Sequence, residues 1–142
     1  MSWLLDTNVV SELVRPRPDP GVLAWFQARE AQEPQVYLAA LVLAEIWRGV
    51  LRMDRQSPRF ARLQAWVRSD LPTRFAGRVL AFDEPVARTW GRLTATLRRG
   101  ASPPTMDSLI AATAVHHGLV LVTRNVADMR HFPELALENP WR

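Results

Sequence analysis

Four acidic residues stand at points of this chain where an acid needs a reason. Asp6 ends the apolar run Trp3-Leu4-Leu5 and is followed by the small polar pair Thr7-Asn8. A buried parallel strand delivers a side chain to the sheet edge in this way, and ligands of open α/β folds bind at that edge. Glu45 interrupts an apolar helical stripe formed by Val42, Ile46, Gly49, Val50 and Met53, where a lone charge needs a partner. Asp107 opens a helical stretch on the side of Ile110, Ala111 and Ala114, and Asp128 lies three residues after the segment Thr123-Arg124-Asn125.

Each acid alone has an ordinary explanation. Asp6 can cap a helix, a role open to Thr7 or Asn8 as well. Glu45 can pair with Arg48 or Arg52 one and two turns on. Asp107 gains ~0.3–1 kcal/mol from a helix dipole, and Asp128 can cap a turn. Taken jointly they point elsewhere. Residues after the first and fourth strands of a parallel sheet share its carboxyl edge, and helices carrying Glu45 and Asp107 border it. Carboxylates crowded there repel and take up protons unless a cation holds them. Oxygen-only donors suit Mg²⁺ or Mn²⁺, which polarise a phosphate and lower the pKa of an attacking water. Thr7, Asn8, Thr123 and Asn125 are the neighbours expected to orient the carboxylates.

Other chemistries lack their parts. The chain has no cysteine, and all 18 basic residues are arginine. The missing lysine excludes a P-loop and the strand-end aspartate chemistry of receiver domains and related phosphatases. His116, His117 and His131 do not have zinc spacing, and no G-x-S-x-G elbow is present. The six tryptophans are scattered over different elements, which fits core packing or a subunit interface.

The elements that must position these acids follow from periodicity. Helices are expected over Thr7–Val14, Gly21–Arg29, Ala40–Met53, from Ser57-Pro58 to a stop at Pro72, and from the cap Asp83 to Leu97. A further helix is capped by Thr105 and closed by Gly118, after a Pro/Gly-containing loop from Arg98 to Pro104. Strands are expected before Asp6, at Val36–Ala39, Val79–Phe82 and Val120–Val122, with a short last one over Leu135–Glu138. This alternation predicts one domain over 1–142, with a mainly parallel sheet of four to five strands covered on both faces. The 48% hydrophobic and 23% charged content is that of a globular chain. Asp6 leaves no room for a signal peptide, and the longest apolar run, Leu38 to Ala44, is short of the ~18 residues of a membrane span. The expected location is cytoplasmic.

These residues together resemble the PIN-domain ribonuclease toxins of the VapC type, and FitB-like members most closely. The resemblance rests on Leu4-Leu5-Asp6-Thr7-Asn8-Val9-Val10-Ser11-Glu12, on Ala44-Glu45 ahead of Gly49-Val50, and on Asp107 to Ala114. Thr123-Arg124-Asn125 with Asp128 completes it, and the stretch Phe75–Ala87 and terminal Asn139-Pro140-Trp141 give the FitB-like character. It implies a three-layer α/β/α fold, a homodimer and Mg²⁺- or Mn²⁺-dependent endonucleolytic cleavage of RNA. By position, Asp6, Glu45 and Asp107 match the family's acidic triad. The fourth acidic position falls either on Asn125 or on Asp128, and Met129 stands where an aromatic is common. The resemblance also implies a type II toxin–antitoxin pair, with a co-encoded VapB/FitA-like antitoxin whose tail enters the acidic site and through which operator DNA is bound.

Substrate contacts are expected from Arg48, Arg52 and Arg55, which share one helical face leading away from Glu45. Setting the four candidate acids aside raises the net charge from +4 to +8, a basic body round an acidic notch that suits a polyanion. An ordinary solvated helix face is the alternative account of those arginines. The alternative function is a regulatory module that complexes an antitoxin and tunes operator binding with little cleavage of its own.

Overall fold

A computed structural model describes residues 1–97 and 104–141. Most of the expected loop from Arg98 to Pro104 therefore lies outside the described residues. Five short strands, β1 (Trp3–Leu5), β2 (Val36–Ala39), β3 (Val79–Leu80), β4 (Val120–Val122) and β5 (Leu137–Glu138), form one sheet in the order β3-β2-β1-β4-β5. Every pairing is parallel, with Leu5 level with Leu38 on one side and with Val122 on the other. Leu4, Leu5, Leu38, Leu121 and Val122 are wholly buried, as central strands covered on both faces must be. The order reverses beside β1, so the carboxyl ends of β1 and β4 flank the switch point of the sheet.

Eight α-helices are described: α1 (Thr7–Glu12), α2 (Pro20–Gln27), α3 (Ala40–Leu51), α4 (Pro58–Ala65), α5 (Leu71–Arg74), α6 (Glu84–Ala95), α7 (Thr105–His117) and α8 (Val126–Met129). Three open on a side-chain cap with proline in the first turn: Asp19 before α2, Ser57 before α4 and Asp83 before α6. Gly118 closes α7 at φ 66°, a left-handed conformation that a Cβ would strain. The chain runs from β1 outward through β2 to β3, then crosses back to β4 and β5 on the other side of β1. Right-handed crossovers, the rule for parallel strands, then put helices on both faces and make three layers. Among the described residues no helix is long and apolar enough to cross a membrane.

Several expectations need correction. Pro72 does not stop the helix that begins at Pro58, because a wide π turn over Trp66–Asp70 joins α4 to α5. Leu71 N–H bonds the carbonyl of Trp66, five residues back, and this shift in register lets a residue without an N–H follow. Thr105 is the first residue of α7 rather than its cap, a place taken by Pro104, which offers no side-chain acceptor. The third strand ends at Leu80, short of Phe82, because its only neighbour β2 ends at Ala39, the partner of Leu80. A 3₁₀ segment over Glu30–Gln35 and the single turn of α8 are additions to the sequence expectation.

Candidate active site

Asp6 is fixed from both sides of the switch point. Its N–H donates to the Val122 carbonyl at 2.9 Å, which ties the end of β1 to the end of β4. Its carboxylate is also the cap of α1: Oδ1 accepts from Thr7 N at 2.7 Å, and Oδ2 accepts from Thr123 Oγ1 at 2.7 Å. The side chain is only 2% exposed. Burial pushes its pKa up, the bonds from Thr123 and Thr7 pull it back, and the charge of Glu45 adds to the rise. The cap role open to Asp6 is thus present, and it leaves the carboxylate within reach of the charge of Glu45.

Thr7 and Thr123 connect this acid to the rest of the edge. Thr7 Oγ1 donates to Glu45 Oε1 at 2.6 Å, so adjacent groups of one residue hold two acids. Thr123, fully buried, donates to Asp6 and accepts from Asn125 N at 3.0 Å and Asn8 Nδ2 at 3.5 Å. One donor and two acceptor sites are all a hydroxyl has, so its proton must face Asp6. Asn8 Oδ1 in turn accepts from Arg124 N at 3.3 Å. Of the four expected orienting residues, Asn125 takes part through its backbone.

Glu45 is half-buried on α3, and among the described residues neither Arg48 nor Arg52 forms an ion pair with it. Asp107 sits in the first turn of α7, half-buried, and Asp128 is exposed on α8. Burial first, then the charges of Asp6, Asp128 and Glu45, push Asp107 up to about 6. Asp107 thus feels the charge of the other three acids, and among the described residues none of the four is ion-paired with an arginine. Among the described residues no three of them are drawn together as a finished cation cage. Their hard oxygen donors suit a divalent cation of the Mg²⁺ or Mn²⁺ kind.

The segment carrying Asp107 is also braced. Trp90 Nε1 on α6 donates to Ser108 Oγ at 2.9 Å, and Ser108 Oγ donates to the Thr105 carbonyl at 2.7 Å. Sequence reasoning assigned Trp90 to packing or an interface and missed this link. A serine beside the candidate acid on an otherwise apolar helix face was the available signal. Arg48 and Arg52 are exposed on α3 and at its end. The three arginines do not share one helical face as expected, because α3 ends at Leu51 and Arg55 lies in the turn beyond it, 5.6 Å from the Phe60 ring centre.

The PIN domain matches residues 3–135. The chain belongs to the PIN-domain family. This PIN domain is 37% identical over 139 residues to Toxin FitB of Neisseria gonorrhoeae, covering 97% of each chain. It is 36% identical over 139 residues to VapC ribonuclease Y4jK of Sinorhizobium fredii, covering 97% of this chain and 96% of that one. Among solved structures it resembles FitAcB from Neisseria gonorrhoeae, with a TM-score of 0.86 and 35% identity over 98% of each chain. FitAB bound to an IR36 DNA fragment matches with a TM-score of 0.83 and 33% identity, over 98% of this chain and 95% of that one. The expected three-layer parallel α/β fold and the resemblance to VapC and FitB proteins are both borne out.

Proposed function

We propose that this PIN domain is the toxin of a type II toxin–antitoxin pair and acts as a divalent-metal-dependent endoribonuclease in the cytoplasm. The observation that supports it most is the convergence of Asp6, Glu45, Asp107 and Asp128 from four separate segments, with no arginine ion-paired to them among the described residues. The relatives named as a toxin and a ribonuclease span nearly its whole length, which favours the same chemistry here.

In this reading Asp6, Glu45 and Asp107 hold Mg²⁺ or Mn²⁺, and Asp128 completes the acidic set. The cation supplies charge against the phosphate oxygens and acidity to the attacking water. The chain's own work is to hold the carboxylates ready. Thr123 and the Thr7 N–H hold the two oxygens of Asp6, and the Thr7 hydroxyl aims Glu45. Asp107, pushed up to about 6, holds a proton below that pH and gives it up above, so cation binding strengthens as pH rises. Arg48 and Arg52 contribute attraction for RNA along α3. The protein works as a homodimer, and a VapB/FitA-like antitoxin occupies the acidic edge and brings operator DNA.

Induced expression tests the reading. Wild-type protein is expected to arrest growth, and Asp6→Ala or Asp107→Ala is expected to relieve the arrest at equal protein level. Arrest of equal depth by either variant sinks it.

A further inference from the structure

We propose that Arg124, seated on the ring of Trp141, is a phosphate-binding contact for the RNA strand at the rim of the acidic edge. The proposal rests on the ribonuclease reading above.

The placement begins with the backbone. Arg124 follows Thr123, whose hydroxyl holds Asp6, and its own N–H is tied to Asn8 Oδ1 at 3.3 Å. Its side chain is exposed, and its guanidinium carbon lies 5.3 Å from the Trp141 ring centre. Trp141 is itself set by a turn, in which its N–H donates to Asn139 Oδ1 at 3.0 Å. The Asn139-Pro140-Trp141 segment thus has a role that the acidic set does not explain.

An exposed arginine next to a cluster of carboxylates is drawn to pair with them. Among the described residues Arg124 makes no ion pair and no side-chain hydrogen bond. The indole holds the cation by its π face and leaves the five N–H donors at the guanidinium edge for a ligand. A planar fork of that kind matches two oxygens of a phosphate, and stacking reduces the freedom lost on binding. An RNA strand entering the acidic edge carries one phosphate per nucleotide, so a phosphate next to the scissile one is the natural acceptor. The contact reads backbone and not base, so it acts on all sequences alike.

Fluorescence anisotropy of a labelled single-stranded RNA of random sequence, in EDTA and at several salt concentrations, tests this. Arg124→Gln is expected to weaken binding by about tenfold or more, as loss of a charge-assisted bond does. It is also expected to flatten the plot of log affinity against log salt by about 0.7, the share of one single-strand phosphate. Arg124→Lys and Trp141→Ala keep the charge, so they should keep the slope while losing part of the affinity. In cleavage assays with metal, Arg124→Gln should raise KM and leave kcat near the wild-type value. If Arg124 only fastens the chain end, Arg124→Gln lowers the Tm without moving the slope, and the proposal falls. Wild-type affinity in either Arg124→Gln or Trp141→Ala also overturns it while the ribonuclease reading stands. Wild-type protein that neither binds nor cuts RNA overturns both.

Discussion

Asp107 carries its charge at a cost to the fold. Its carboxyl is pushed up from 3.8 to about 6 by burial and by three neighbouring acids, so the folded chain holds that proton more tightly than the unfolded chain. Stability from this group therefore falls as pH rises from 3.8 toward about 6, and the penalty is complete above that. Asp6 is shifted in the same direction, chiefly by burial. The metal-free Tm is expected to decline across this window, and Asp107→Asn is expected to flatten the decline and to raise the Tm at neutral pH. Addition of Mg²⁺ or Mn²⁺ should raise the wild-type Tm near pH 7.5 and leave it unchanged near pH 4, as calorimetry at a series of pH values would read. Thr123 is the second residue on which the site depends. Thr123→Val removes a buried hydroxyl that makes three bonds, at an expected cost of about 1–3 kcal/mol in urea denaturation. Thr123→Ser should recover most of the loss. Asp6 and Glu45 were conspicuous in the sequence because an acid at the end of a buried strand, or inside an apolar stripe, breaks a pattern, although each alone has an ordinary explanation. Arg124 was not, because an arginine in a polar segment breaks none, and only the position of Trp141 gives it meaning.

At the level of elements, boundaries were legible where one local cause decides them. Val36–Ala39 and Val120–Val122 are apolar runs closed by small or polar residues, and both strands have those limits. Gly118 ends α7 because it alone takes φ 66° without strain, and Gly118→Ala is expected to cost about 1 kcal/mol by thermal or urea melting. Misreadings arose where a neighbour or a register change decides instead. Pro72 looks like a terminator until the π turn ahead of it removes the need for its missing N–H. Leu80 ends a strand because β2 has run out, which no residue of β3 records. The bond from Trp90 to Ser108 is of the same kind, joining α6 to the start of α7 across a gap of 18 positions. Ser108→Ala is expected to loosen the Asp107 end of α7, weakening cation affinity in calorimetric titration by severalfold, and to cost about 1–3 kcal/mol of stability because the Trp90 N–H loses its acceptor.

For the molecule as a whole, fold and charge serve one purpose. The strand order reverses between β1 and β4, so chain segments far apart in sequence end at one edge. The +4 chain concentrates negative charge there, and the remainder is the more basic for it. In the proposed function this charge distribution attracts a polyanion to the basic body round the acidic edge. The parallel sheet was legible from the alternation of strands and helices alone. How closely the acids approach was not, since it depends on side-chain bonds that cross from β1 to α3 and β4. The central claim is that this acidic edge cuts RNA with the help of a divalent cation. Incubation of purified wild-type and Asp107→Asn protein with total RNA, in Mg²⁺, in Mn²⁺ and in EDTA, tests it most directly. Discrete cleavage products are expected from wild-type protein only when a metal is present, and none from a folded Asp107→Asn protein. Cleavage of equal extent in EDTA, or by Asp107→Asn, would contradict it.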